Sequence, residues 1–237
     1  MAILYIVATP IGNLEDISKR ALRILSEVDL ILAEDTRVTR KLLSRYQINK
    51  PLISYHQHSQ LQKVDHILKL LKEGKNLALV SDAGTPGISD PGNLLIEKVV
   101  QEPVEGVKVV PIPGPSALTA VVSLSGFPMD RFLFLGFPPA KKKRKRFFEE
   151  VANSRYPVIF YESRYRIMKT LEELKLAIVD GVTRIVVCQE MTKMFEKTYR
   201  GNLTAVLEKL KKADLRGEFV VIVDNPGHKL KKDEEKT

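Results

Sequence analysis

The chain has 237 residues, 44% of them hydrophobic, a length that suits one large domain or two smaller ones. This hydrophobic content excludes disorder of the whole chain, and the single cysteine, Cys188, excludes an intramolecular disulfide. No apolar run reaches the roughly 18 residues of a membrane span, and residues 1–7 lack a signal-peptide pattern. We therefore expect a cytoplasmic protein without a membrane span.

The formal net charge of +9 lies mostly in the second half of the chain. Residues 1–120 hold 14 Lys or Arg against 13 Asp or Glu, whereas residues 121–237 hold 24 against 16. Six cations follow one another without interruption at Lys141–Arg146. Such a cluster, with a pI near 9.5, is typical of nucleic-acid-binding proteins, although a solvated loop that favours solubility is the alternative.

The first half alternates short apolar runs with amphipathic patterns. In chain order these predict the strand Ile3–Val7, the helix Ser18–Glu27, the strand Leu30–Ala33, the helix Thr36–Tyr46, the strand Leu52–Ser54, the helix Ser59–Lys72, and the strands Leu77–Val80 and Val107–Ile112. Leu77–Val80 is apolar throughout, as is typical of a strand covered on both faces. The βαβ order predicts an open, mostly parallel sheet with helices on both faces.

The second half repeats this pattern less regularly. It predicts the strands Phe132–Gly136, Val158–Tyr161, Ile185–Gln189 and Phe219–Val223, and the helices Arg146–Ser154, Tyr165–Leu176 and Leu203–Ala213. A break near residues 125–128 separates the halves. We therefore predict two α/β domains, at residues 1–120 and 121–225, followed by a charged tail at residues 226–237.

Three loops rich in glycine and proline follow predicted strands, at Ala8–Leu14, Ser81–Gly92 and Pro113–Ala117. Ligands of open α/β sheets bind beyond the carboxyl ends of the strands, so these loops predict one shared site. The GxGxxG fingerprint and the Gly-Lys-Ser/Thr triplet are missing, which argues against dinucleotide binding and excludes a P-loop NTPase. Without HExxH or paired cysteines, no metal site is expected.

Several acids also follow strand ends. Asp82 suits ribose hydroxyls or an ammonium group, whereas Asp35 is either a functional acid or a helix N-cap. Glu162 and Glu190 are either bases or structural partners of nearby cations. A further segment carries His56 and His58, which suit a phosphate, a base, a metal or simply a polar surface turn.

Four segments occur in order: Val7–Ser18, Ala33–Arg37, Ser81–Gly92 and Pro113–Ala117. Together they resemble the tetrapyrrole methylase superfamily, and within it the branch of small-subunit ribosomal RNA methyltransferases. The resemblance covers roughly residues 2–224. It implies two α/β domains with S-adenosylmethionine (SAM) in the cleft between them, usually in a homodimer, and 2′-O-methylation of a cytidine ribose in the decoding region of the RNA.

By motif position, the resemblance assigns a set of residues to SAM: Pro10, Ser81, Asp82, Ala83, Ser116, Ala117, Tyr161, Glu162, Met191, Thr192 and Glu218. The poorly acidic ribose hydroxyl needs a general base, for which Asp35 and Glu190 are the candidates and Asp82 the alternative. The predicted RNA contacts are Arg37, His56, His58, Lys141, Lys142, Lys143, Arg144, Lys145 and Arg146.

Two other functions remain open at this point. A methylase of small molecules, such as a tetrapyrrole intermediate, is the main alternative, although the basic run favours RNA. A non-enzymatic RNA-binding or assembly factor needs no acid-lined cofactor site. Binding of SAM therefore discriminates between this factor and an enzyme.

Overall fold

The computed structural model describes residues 2–55, 61–90, 92–101, 106–178 and 183–224. The chain divides into two compact units, with the boundary between Ser116 and Ala117. None of the helices within the described ranges is long and apolar enough to cross a membrane.

The first unit is built on a five-stranded sheet. Its strands are Ala2–Val7 (β1), Leu30–Ala33 (β2), Leu52–Ser54 (β3), Leu77–Val80 (β4) and Val107–Ile112 (β5), and its helices are Lys19–Glu27 (α1), Thr36–Arg45 (α2), Leu61–Lys72 (α3) and Gly92–Gln101 (α4). The strand order is β3-β2-β4-β1-β5, and every pairing is parallel. The predicted parallel sheet is confirmed, and α4 is a helix that the sequence analysis missed.

Two apolar clusters cover the two faces of this sheet. Side chains alternate between the faces along each strand, so in β4 Leu77 and Leu79 pack with α3 and α4, whereas Ala78 and Val80 pack with α1 and α2. All four of these side chains are buried. The uninterrupted apolar run of β4 is therefore explained by helices on both sides.

The second unit has a different sheet. Its strands are Leu133–Phe134 (β6), Val158–Ser163 (β7), Arg184–Gln189 (β8), Lys197–Asn202 (β9) and Glu218–Asp224 (β10), and its helices are Ala117–Leu124 (α5), Arg144–Ala152 (α6), Ile167–Ala177 (α7) and Leu203–Lys211 (α8). The strand order is β6-β7-β10-β8-β9, with a parallel β6–β7 pair and three antiparallel pairs. Helices α6, α7 and α8 cover one face, and α5 covers the other.

Candidate functional site

The carboxyl ends of the first unit's parallel strands bring the predicted loops together. The backbone N–H of Thr9 donates to the carbonyl of Gly84 at 2.9 Å, and the N–H of Gly84 donates back at 3.0 Å. The Thr9 hydroxyl also donates to the carbonyl of Ser81 at 3.0 Å. These bonds join the loop after β1 to the loop after β4.

The loop after β5 is tied to the same edge. The Thr85 hydroxyl donates to the carbonyl of Pro115 at 3.2 Å. Gly114 lies so close to the first loop that an added Cβ would stand 3.0 Å from the Cβ of Ala8. The close approach explains why residue 114 has no side chain.

Four carboxylates lie at this edge of the sheet, those of Glu34, Asp35, Asp82 and Asp90. The backbone N–H of Asp35 donates to Oδ1 of Asp82 at 2.9 Å, and the N–H of Asp82 lies 3.5 Å from Oε2 of Glu34. A shallow pocket of about 170 Å³, counting space open to solvent, is lined by Glu34, Tyr55, Leu79, Val80, Ser81, Pro86, Asp90 and Gly92. Among the described residues, no group of His, Cys, Asp and Glu side chains is arranged to hold a metal ion.

Asp90 has a structural part in this loop. Its Oδ1 accepts hydrogen bonds from the backbone N–H of Gly87 at 2.7 Å and from that of Gly92 at 2.8 Å. Its carboxylate therefore fixes the end of the loop at the start of α4. The negative charge of Asp90 also contributes to raising the pKa of Glu34.

The surroundings shift the pKa values of these carboxylates in opposite directions. Burial, followed by the negative charge of Asp82, raises the pKa of Glu34, and burial also raises the pKa of Asp82. Hydrogen bonds from Arg37 lower the pKa of Asp35 to about 2. A general base works best with a raised pKa, so Glu34 suits this role better than the predicted Asp35.

The sequence analysis did not name Glu34 as a candidate base. The available signal was its position directly after β2, adjacent to Asp35. Its raised pKa depends on burial and on Asp82, which is 48 positions away and is brought near only by folding. The raised pKa of Glu34 could therefore not be predicted from the sequence alone.

The predicted SAM residues of the first unit lie in these loops. Pro10 and Ser81 are buried, and the Ser81 hydroxyl donates to the carbonyl of Ala83 at 3.3 Å. Asp82 and Ala83 are exposed at the loop surface. Next to Pro115, Ser116 is half-buried and ends the first unit, whereas Ala117 begins α5 of the second.

Glu162 requires a correction. Its side chain is completely buried, where it accepts hydrogen bonds from the backbone N–H of Ser163 at 2.8 Å and from the hydroxyl of Thr170 at 2.6 Å. It also pairs with Arg166 at 2.7 Å. Because these partners engage the carboxylate inside the second unit, Glu162 holds β7 to α7, which argues against the predicted contact with SAM. The neighbouring Tyr161 is half-buried, which raises its pKa to about 12.

The turn after β8 carries the other predicted residues. Glu190 and Thr192 have positive φ angles of 51° and 64°, which non-glycine residues rarely adopt. Oε1 of Glu190 accepts from Nζ of Lys193 at 2.7 Å and from the backbone N–H of Glu218 at 3.1 Å. Lys193 also contacts Glu218 at 3.1 Å, and Met191 is buried. Glu190 thus clamps a strained turn, which is a structural role for the second candidate base.

We expect substitution of Gly217 by alanine to break this clamp. The backbone of Gly217 has φ +89°, and an added Cβ would lie 2.1 Å from Cδ of Glu190. The positive φ and the displaced carboxylate should together cost about 1–3 kcal/mol of folding free energy. Chemical denaturation measures this loss, and alanine at Gly74 is a matched control, since its φ is +86° and nothing lies within 4 Å of its added Cβ. Equal losses in both variants would contradict a specific clamp.

Arg144 is the second correction, because it does not lie on the surface with its neighbours. It is buried, and its guanidinium binds Glu173 at 2.7 Å, the carbonyl of Pro139 at 2.8 Å and the hydroxyl of Thr170 at 2.9 Å. These bonds satisfy the guanidinium inside the second unit. This burial argues against the predicted contact of Arg144 with RNA.

The other predicted RNA contacts are exposed where the structure describes them. These are Lys141, Lys142, Lys143, Lys145, Arg146 and Arg37, the last paired with Asp35 at 2.6 Å. His56 and His58 lie outside the described residues, as does the tail at residues 226–237.

Comparisons with known proteins agree on the family. Residues 3–207 match the model of the tetrapyrrole (corrin/porphyrin) methylases. The ribosomal RNA small subunit methyltransferase I of Thermotoga maritima is 45% identical, over 94% of this chain and 98% of its own. The protein of the same name from Haemophilus influenzae is 46% identical, over 94% of this chain and 78% of its own.

Solved structures support the fold. The uroporphyrin-III C-methyl transferase of Thermus thermophilus, complexed with S-adenyl homocysteine, superposes with a TM-score of 0.63 at 18% identity, covering 94% of this chain and 97% of that one. A diphthine synthase gives a TM-score of 0.70 at 15% identity, covering 94% and 89%. The family model and the sequence identities together show that this chain belongs to the tetrapyrrole methylase family, in the group of the ribosomal RNA small subunit methyltransferase I proteins.

Proposed function

We propose that this protein transfers a methyl group from SAM to the 2′-oxygen of a cytidine ribose in the decoding region of small-subunit ribosomal RNA. The observation that carries the proposal is 45% identity, over nearly the whole of both chains, to a protein named as a small-subunit ribosomal RNA methyltransferase. The loops and carboxylates joined at one edge of the first sheet supply the chemistry that this reaction needs.

The residues at this edge fit the methyl donor. SAM carries an ammonium group, a carboxylate and an adenosine, and when bound it supplies an electrophilic methyl group on a sulfonium. The carboxylate of Asp82, oriented by the backbone of Asp35, suits the ammonium or the ribose hydroxyls. Backbone N–H and C=O groups of the loops around Ala83 and Ser116 suit the carboxylate and the adenine of SAM. Ala8 and Gly114 are small enough for the first and third of these loops to pack closely against each other.

Glu34 is our proposed general base. Its carboxylate would accept the proton of the ribose 2′-hydroxyl, while bound SAM would supply its methyl group to that oxygen, with cleavage of the sulfonium C–S bond, and would leave as S-adenosylhomocysteine. The raised pKa makes Glu34 a stronger proton acceptor than an ordinary glutamate. Most of the acceleration comes from holding the two reactants in line, and the rigid bonds between the loops maintain that position.

Methylation of a small tetrapyrrole is the alternative function, since similar folds include uroporphyrin-III methylases. The exposed lysines beside α6 and the excess of positive charge after residue 120 favour a polyanionic substrate instead. An RNA substrate is consistent with our proposal that the protein is cytoplasmic. We further propose, from the family resemblance, that it acts as a homodimer.

The test is a methyl-transfer assay with SAM labelled in the methyl group. It compares small ribosomal subunits, free small-subunit RNA and a tetrapyrrole precursor as acceptors. We expect label in the RNA and none in the tetrapyrrole. Label in the tetrapyrrole alone would replace the proposal with its alternative. SAM binding without transfer to any acceptor would contradict the proposed acceptors.

The pH dependence provides a second prediction. Activity should fall as the pH decreases through the raised pKa of Glu34, because the base must be deprotonated. Asp90 contributes to this raised pKa, so replacing Asp90 with asparagine should shift the acidic limb of the profile to lower pH. The asparagine oxygen still accepts from Gly87 and Gly92, which preserves the loop. Single-turnover rates measure the shift, and replacing the exposed Asp65 on α3 with asparagine is the control. An acidic limb at the same pH in the Asp90 variant and the wild type would contradict the role of Glu34 as the general base.

A further inference from the structure

Two aromatic side chains stand exposed at one edge of the second sheet. Phe137 is 50% exposed and Tyr165 is 80% exposed. They lie on the loops that follow β6 and β7, which are parallel neighbours, so both loops leave the same edge. Nη1 of Arg166 donates to the carbonyl of Pro138 at 3.1 Å and joins the two loops. The two exposed rings therefore lie on adjoining loops.

Both rings are held in place although they face solvent. The Arg164 guanidinium lies 4.5 Å from the centre of the Tyr165 ring and donates to the Tyr165 hydroxyl. The Phe137 ring packs edge-on against Tyr161, with 5.5 Å between the ring centres. A ring that already has such a contact has fewer orientations to lose when a flat ligand stacks on it.

Positive charge surrounds these rings. The loop of Phe137 continues directly into the exposed Lys141, Lys142 and Lys143, and Arg164 adds a guanidinium plane beside Tyr165. Aromatic faces for bases, combined with cations for phosphates, are the combination that binds single-stranded nucleic acid. A duplex would satisfy the cations but would leave the rings without unstacked bases.

We propose that Phe137 and Tyr165 form a stacking surface for unpaired bases of the RNA substrate, while the adjoining lysines bind its phosphates. This inference rests on the proposed function, because RNA is the substrate that brings unpaired bases to the enzyme. It adds base stacking to a basic run that by itself provides only electrostatic attraction.

The test measures binding of a fluorescein-labelled short single-stranded RNA, and of a duplex of equal length, over a range of salt concentrations. Leucine at Phe137 or at Tyr165 should weaken single-strand binding about 5- to 100-fold without altering its salt dependence. Replacing Tyr165 with phenylalanine retains the ring and should preserve affinity. Replacing Lys142 with alanine should instead lower the salt slope by about 0.7.

The melting temperature and SAM affinity should be unchanged in the Tyr165 variant, because that side chain is 80% exposed. The Phe137 variant also loses an edge-on contact with Tyr161, so its RNA affinity is compared at temperatures below its own melting transition. If both variants bind single-stranded RNA as tightly as the wild type, the stacking surface is overturned. The proposed function still stands in that case, provided that the wild type methylates small ribosomal subunits. Failure of the wild type both to bind RNA and to methylate subunits would overturn both proposals.

Discussion

Replacing Glu34 with glutamine is expected to lower kcat for methyl transfer by about 10²- to 10⁴-fold, the usual contribution of a general base. The amide has nearly the same size but cannot accept the ribose proton. Single-turnover assays with saturating SAM and RNA measure the loss. Calorimetric titration of SAM should show little change in affinity, which separates catalysis from binding.

Asparagine at Asp35 is the matched control. Asp35 caps α2, where its Oδ1 accepts from the backbone N–H of Arg37 at 2.8 Å, and asparagine serves equally well as a helix cap. We expect kcat to change less than about tenfold, because a carboxylate with a pKa of about 2 is a poor proton acceptor. The contrary result is full activity in the Glu34 variant together with a large loss of kcat when asparagine replaces Asp35 or glutamine replaces Glu190. That result would identify one of the two bases predicted from the sequence as the general base.

Replacing Arg144 with alanine is expected to destabilise the second unit by about 2–4 kcal/mol, because the change removes a buried, hydrogen-bonded guanidinium from a partly buried ion pair. It removes one of the two cations paired with Glu173, the other being Lys169 at 3.9 Å, and the hydrogen bonds to Pro139 and Thr170. It also removes a cation–π contact of 5.2 Å with Phe148. Thermal and chemical denaturation measure the change. Lysine at residue 144 should rescue only part of it, because an ammonium group cannot reproduce the planar fork of the guanidinium.

The adjacent Lys145 is the control for this prediction. Its side chain is 93% exposed and forms only a loose pair with Glu149 at 3.8 Å. Alanine there should change stability by no more than about 0.5 kcal/mol and should weaken RNA binding instead. If the Arg144 variant were as stable as the wild type and lost RNA affinity, the structural assignment of Arg144 would be wrong.

The first sheet was largely predictable because its strands are short apolar runs, which are fully buried in β4 and half-buried in the edge strand β3. The apolar runs Leu30–Ala33, Leu52–Ser54 and Leu77–Val80 coincide with β2, β3 and β4. The edge strand β9 was missed because its exposed face gives it the polar sequence of a loop. Predicted Phe132–Gly136 shortens to the strand Leu133–Phe134, although backbone hydrogen bonds to β7 continue at Leu135 and Gly136.

The site was less predictable than the fold, since its chemistry depends on contacts between distant residues. The loops after β1, β4 and β5 were expected to share an edge, and the bonds of Thr9 and Thr85 join them there. Arg144 looked like one more exposed cation, yet it begins α6 facing Phe148 one turn later, and that side of the helix is buried. Arg144 shares its helix face with Phe147, Phe148 and Val151, which are also buried. This helical spacing indicates a buried residue 144, but the sequence analysis treated the six consecutive cations as one exposed segment.

The most direct test of the central claim maps the methyl group on small-subunit RNA. After reaction with labelled SAM, the RNA is hydrolysed with alkali, which cleaves after every nucleotide that has a free 2′-hydroxyl. We predict one alkali-resistant position carrying the label, at a cytidine of the decoding region. Label on a base, with every position still cleaved by alkali, would contradict transfer to a ribose oxygen.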